Sequence, residues 1–146
     1  MFTFRLQSVL DVRQALKEKA LVAFFDEGRR LAREEEILTA LLQDRESHVD
    51  QLREAANRTL RVSHVAVLVS YLEILRQRID AQKIVISEAS RALEEKRAEL
   101  IEAAKKKKIM ETLKENQLAE YRWETLTRER KELDELAVLR FAGSDT

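Results

Sequence analysis

Apolar residues recur along the stretch from Val65 to Met110 at alternating steps of three and four. The positions are Val65, Leu68, Leu72, Leu75, Ile79, Gln82, Ile86, Ala89, Leu93, Lys96, Leu100, Ala103, Lys107 and Met110. Eleven of these fourteen are apolar, the exceptions being Gln82, Lys96 and Lys107. A mean spacing of about 3.5 residues keeps one stripe of a helix turned toward a partner helix, the heptad signature of a coiled coil. No Pro and no Gly interrupts the run. It predicts a long helix that requires a second helix to cover it.

An earlier, less regular stripe supplies that cover. It passes through Leu6, Leu10, Arg13, Lys17, Ala20, Phe24, Glu27 and Leu31, then Glu35, Leu38, Leu42, Arg45, Val49, Leu52 and Ala56. The first helix is expected from about Thr3 to Ala56. Polarity dips and the heptad phase changes over 57–63. Asn57 tolerates the left-handed conformation that ends a helix, and Ser63 can cap the next one. Without a Gly or Pro to mark the turn, one continuous helix is the alternative. The fold expected is all-α, a single long antiparallel two-helix coiled coil (an α-hairpin) with the second helix longer, about 64–141.

Folding back near residue 60 sets residue i roughly opposite residue 120 − i, so the first helix runs out near Tyr121. Roughly 20 residues of the second helix then project beyond their partner, at about 1.5 Å each. They include Trp123, Leu126, Leu133, Leu136, Val138, Leu139 and Phe141. Apolar residues without intramolecular cover are candidate docking surface. The terminal Gly143, Ser144, Asp145 and Thr146 are expected to fray. Phe24 and Phe25 stand beside Gly28, where a helical glycine costs about 1 kcal/mol relative to Ala. That neighbourhood is either a soft spot or a tolerated defect.

Composition narrows the classes. Charged residues make up 37% of the 146 and aromatics 5%, with no Pro and two Gly, which fits long helix and leaves β structure without its usual punctuation. The 27 basic and 27 acidic residues balance locally as well: residues 1–63 carry eleven of each. Even mixing describes a salt-bridge-laced helix surface and gives no nucleic-acid or lipid footprint. No run approaches the roughly 18 apolar residues of a membrane span, and the N-terminal stretch has no secretory pattern. The expectation is a cytoplasmic protein without membrane insertion. With no Cys there is no disulfide or thiol chemistry.

Catalysis requires a convergent pocket, and two paired helices offer little concavity to build one. No catalytic residue, cofactor or metal is expected. His48 and His64 flank the expected turn, but two histidines without further ligands make a poor metal site. The run Glu34-Glu35-Glu36 reads as a solvated face. Lys105-Lys106-Lys107-Lys108 is the sharpest charge feature. It is either a solvated patch whose stems cover apolar surface or a contact for an acidic protein partner. Nucleic acid fits less well, because no aromatic residues alternate with these lysines.

Three stretches resemble the FliJ family of bacterial flagellar type III export proteins. The opening Phe2-Thr3-Phe4-Arg5-Leu6-Gln7-Ser8-Val9-Leu10-Asp11-Val12-Arg13 is similar to the family's F-x-F-R-L-Q-x-V-L-D-x-R pattern. Arg128-Glu129-Arg130-Lys131-Glu132-Leu133-Asp134-Glu135 resembles its charged ending, and Tyr71-Leu72-Glu73-Ile74-Leu75 with Ile79 and Gln82 its central segment. The resemblance spans nearly the whole chain. It implies a stalk-like protein, monomeric in isolation, that binds the hexameric flagellar export ATPase and the export gate membrane protein and escorts substrate chaperones. Such a protein would sit peripherally at the inner face of the cell membrane at the flagellar base.

The gate-binding stripe implied here is Tyr71, Leu75, Arg78 and Gln82, spaced to share one helix face. If Leu75 is buried against the first helix, it cannot be a full gate contact. For the ATPase ring the expected residues lie where both termini converge: Phe2, Phe4, Arg5, Arg13, Arg122, Trp123, Arg128, Arg130 and Phe141. The arginines would meet acidic pore loops. A generic dimerising coiled-coil scaffold and the equivalent stalk of a virulence-type secretion system are the alternatives.

Overall fold

Heptad spacing without helix breakers yields two helices in a computed structural model that describes residues 1–58 and 61–144. Thr59, Leu60, Asp145 and Thr146, which belong to the expected turn and the expected frayed tail, lie outside the described residues. Helix α1 spans Gln7–Asn57 and α2 spans Val62–Ser144, 51 and 83 residues long. The second helix is the longer, as the stripes predict. The fold is an all-α helical hairpin.

The helix ends depart from the expected ones for local reasons. The backbone N–H of Gln7 bonds the Phe4 carbonyl at 3.1 Å, so α1 opens a turn later than Thr3. At the other end Asn57 remains right-handed, since no described residue has positive φ. Ser63 falls inside α2. The Arg61 carbonyl accepts from His64 at 3.0 Å and from Val65 at 3.4 Å, so Arg61 occupies the capping position. Gly143 and Ser144 are helical, and the Ser144 hydroxyl bonds the Phe141 carbonyl at 2.9 Å.

The chain forms two compact units. One comprises Lys19–Ile101. Here the α2 stripe turns inward: Leu68, Leu75, Ile79 and Ala89 are buried, and Val65, Leu72, Gln82, Ile86, Leu93, Lys96 and Leu100 are half-buried. Leu75 is 0% exposed and Ile79 2%. On α1 the stripe is followed as far as Leu31 and then shifts. Glu35, Arg45 and Ala56 are exposed, whereas Glu34, Leu41, Asp44, His48 and Ala55 face inward. Leu38, Leu42, Val49 and Leu52 keep to the expected stripe, half-buried beside them. The physical reason is that Glu34 and Asp44 bond Gln82 and Tyr71 across the interface, which draws polar positions in among the apolar ones.

Antiparallel pairing follows directly from those contacts. Asp44 meets Tyr71, Glu34 meets Gln82, and Phe24 lies under the Arg97 guanidinium at 5.5 Å. Gly28 sits within α1 facing Leu93, whose Cδ1 is 4.0 Å from where a Cβ would stand. The helix passes through Gly28 without positive φ, so the glycine is a tolerated defect.

The other unit comprises Met1–Glu18 with Glu102–Thr146. Phe4 and Leu10 form its buried centre, at 6% and 9% exposure. Ala103, Lys107 and Met110 continue the inward stripe of α2 half-buried. Lys114 Nζ donates to Gln7 Oε1 at 2.7 Å, and the Phe2 ring packs on Tyr121 with centroids 5.6 Å apart. Tyr121 also meets the N-terminal amine, whose hydrogen bond and charge hold the phenol below its ordinary pKa. Past Tyr121, among the described residues, only Thr125 and Thr127 are half-buried, each with its hydroxyl bonded to the carbonyl four residues earlier.

Candidate docking surfaces

The central stripe is assembled around one carboxylate. Asp44 Oδ2 accepts the Tyr71 hydroxyl at 2.7 Å, while its Oδ1 lies 3.0 Å from His48 Nδ1. The His48 and Tyr71 rings pack with centroids 4.4 Å apart. Three helical turns further along α2, Gln82 Nε2 donates to both the main-chain oxygen of Glu34, at 2.9 Å, and its carboxylate, at 2.6 Å. These groups sit at the margin of the helix–helix interface, and their hydrogen bonds fix which residues stand opposite one another.

Of the four residues of the implied gate stripe, the structure gives a free face to one. Leu75 is fully buried, so it holds the two helices together and offers no surface for a second protein. Tyr71 and Gln82 are half-buried and committed to Asp44 and Glu34. Arg78 is exposed. Spacing alone placed the four on one face, and that face proves to be turned largely toward α1.

The Tyr71–Asp44 bond has a pH signature. Donation to a carboxylate stabilises the neutral phenol, and partial burial and the Asp44 charge act in the same direction, so the Tyr71 pKa is raised above 10.0. Stability from this bond is complete below the ordinary phenol pKa and is lost as pH rises through the folded one. In the Tyr121→Phe protein Tyr71 is the remaining tyrosine. Its ionisation, followed by near-ultraviolet absorbance, should fall above pH 10.0 and move down in the Asp44→Asn variant. Titration unchanged by Asp44→Asn would break the assignment.

The implied ring-binding residues separate into two groups. Phe4 is buried among the first and last segments of its unit, and therefore belongs to the core. Arg13 and Phe2 are half-buried, the latter against Tyr121. Arg5, Arg122, Arg128 and Arg130 are exposed and enter no ion pair among the described residues. Arg29, Arg30, Arg53, Arg76 and Arg97, by contrast, are each bridged to a carboxylate on their own helix.

Around those arginines the end of α2 is bare. Trp123 is 68% exposed, Leu133 67% and Phe141 71%. Val138 and Leu139 line a shallow recess with Asp134 and Glu135. At about 100° per residue, Trp123, Leu126, Leu133, Leu136 and Phe141 share one side of α2 with Arg122, Glu129 and Arg130 among them, and that mixed face stays exposed.

Among the described residues no cluster of three or more His, Cys, Asp or Glu could hold a metal ion, and no helix is long and apolar enough to cross a membrane. His48 is engaged with Asp44, and His64 stands exposed in the first turn of α2.

The family profile described as flagellar FliJ protein matches residues 1–146. No curated protein matches the sequence. Among solved structures, a protein proposed to be a YscO homolog from Chlamydia trachomatis shares the fold with a TM-score of 0.63. The two are 23% identical, with 95% of this chain and 94% of that chain covered. With its two helices of unequal length and a profile match from end to end, the chain belongs to the FliJ family and is a protein associated with flagellar type III export.

Proposed function

We propose that this protein is a non-catalytic stalk of the flagellar export apparatus that engages the hexameric export ATPase through the bare end of α2. One observation carries the reading: beyond Tyr121 the helix continues to Ser144 with Trp123, Leu126, Leu133, Leu136, Val138, Leu139 and Phe141 all more than half exposed. Burying a mixed aromatic, aliphatic and arginine surface is how protein partners gain affinity. Arg5, Arg122, Arg128 and Arg130 supply charge for acidic pore loops of the ring. The export gate is met through the exposed margin of the central stripe at Arg78, with Tyr71 and Gln82 holding the surface in place. Substrate chaperones are escorted by the same protein. It acts in the cytoplasm at the inner face of the cell membrane, held there by its partners.

The test is charge reversal. Arg5→Glu, Arg122→Glu, Arg128→Glu and Arg130→Glu combined should abolish stimulation of the export ATPase while circular dichroism stays that of the parent, because all four side chains are exposed. Unchanged stimulation removes the ring reading. A second reading, a dimerising scaffold, is favoured by the same bare apolar end. Sedimentation separates the two, since the stalk is a monomer in isolation and the scaffold a stable dimer.

A further inference from the structure

The lysine run is not used by the ring or gate surfaces, and its local geometry is specific. Lys107 occupies the inward stripe, half-buried, with its ammonium 3.1 Å from Glu111. Consecutive helical residues are about 100° apart, so Lys105, Lys106 and Lys108 fan across about 160° of the opposite side of α2. All three are exposed, and none forms an ion pair among the described residues. Ile109, 67% exposed, lies one turn after Lys105 and beside Lys108, and Thr112 extends the same face. Positive charge dominates locally. The Glu111 carboxyl is held below its ordinary value, first by the hydrogen bond from Lys107, which outweighs the opposing effect of burial, and then by the lesser contributions of the Lys107, Lys108 and Lys17 charges.

We propose that Lys105, Lys106, Lys108 and Ile109 form a docking surface for a short acidic amphipathic helix of a partner protein. Charge complementarity sets the sign, and the ends of the patch set the size. Lys105 and Lys108 are only about 4.5 Å apart along the axis, and exposed Glu102 precedes them while exposed Glu115 follows. A lipid sheet or a nucleic-acid strand would extend past the lysines and meet those carboxylates. A protein segment with two or three acids on one turn, and an aliphatic side chain for Ile109, fits within them. Nearby aromatic platforms for bases are also lacking, since the sequence from Glu102 to Glu120 contains none.

The probe is a fluorescent helical peptide with glutamates on consecutive turns of one face flanked by leucines, titrated against the full chain by anisotropy at two salt concentrations. Saturable, salt-weakened binding is expected. Lys105→Gln, Lys106→Gln and Lys108→Gln together should weaken it roughly tenfold, in line with three exposed charge contacts. Ile109→Ala should weaken it further at high salt, and Lys83→Gln should leave it unchanged. Parent helicity and Tm in every variant confine the effect to the surface. Absent binding, binding indifferent to the triple substitution, or tighter binding to phosphatidylglycerol vesicles or single-stranded RNA would each overturn the proposal. None of these substitutions touches the arginines of the bare end, so loss of peptide binding and loss of ATPase stimulation are separate outcomes.

Discussion

Replacing Leu75 by Ala lowers the stability of the hairpin by about 2–5 kcal/mol, the range for emptying a fully buried leucine site. Leu75 is 0% exposed and stands one turn before Ile79, itself 2% exposed, at the best-covered level of the α1–α2 interface. Two long helices cannot close readily over the missing volume, because the Tyr71–Asp44 and Gln82–Glu34 bonds on either side hold their separation. The matched comparison is Leu126→Ala. Leu126 is 64% exposed on α2, and its loss should change stability by no more than about 0.5 kcal/mol. Chemical denaturation of both variants measures the contrast. Equal, small effects would mean that Leu75 is not a core residue and would return it to the gate surface.

The second large effect is on binding. Trp123→Ala combined with Phe141→Ala should weaken association with the export ATPase by about thirtyfold or more, since one aromatic hot spot contributes at least about 2 kcal/mol. Tm should stay at the parent value, because the two rings are 68% and 71% exposed and make no ring contact among the described residues. Calorimetric titration of the ATPase with both proteins reads the first quantity, and thermal unfolding the second. Unaltered affinity would exclude the bare end as the ring contact. A lowered Tm would show instead that the rings pack within their own unit.

Much of the fold was legible because α2 carries its pattern in the identity of its residues. All fourteen positions of its stripe, including Gln82, Lys96 and Lys107, are buried or half-buried. Heptad spacing was informative even where the residue was polar. The first helix was harder to read past Leu31. Glu34 and Glu35 are alike as letters, and Leu41 and Leu42 are equally apolar, so composition cannot fix the phase. What fixes it is the identity of partners 27 and 48 residues away, Tyr71 for Asp44 and Gln82 for Glu34.

The same ambiguity misplaced parts of the sites. Phe4 and Leu75 are core residues that had been expected on docking surfaces, Leu75 by family resemblance and Phe4 by its place where the termini converge, and a hydrophobic letter alone does not distinguish the two roles. The uncovered end of α2 was legible from arm length, and that Arg5, Arg122, Arg128 and Arg130 enter no ion pair among the described residues emerged only from the structure.

The order of partners within Lys19–Ile101 has a consequence for how the chain assembles. Asp44–Tyr71 closes the shortest segment, Glu34–Gln82 a longer one and Phe24–Arg97 the longest. Each doubling of the closed segment costs only about 0.6 kcal/mol more, so once the inner pair has met, the outer ones can zip in sequence. During synthesis, at about 5–20 residues per second, α1 is complete before any of these partners exists. For those seconds it is a nascent helix with one unprotected side, and a bystander chain could occupy it before α2 emerges.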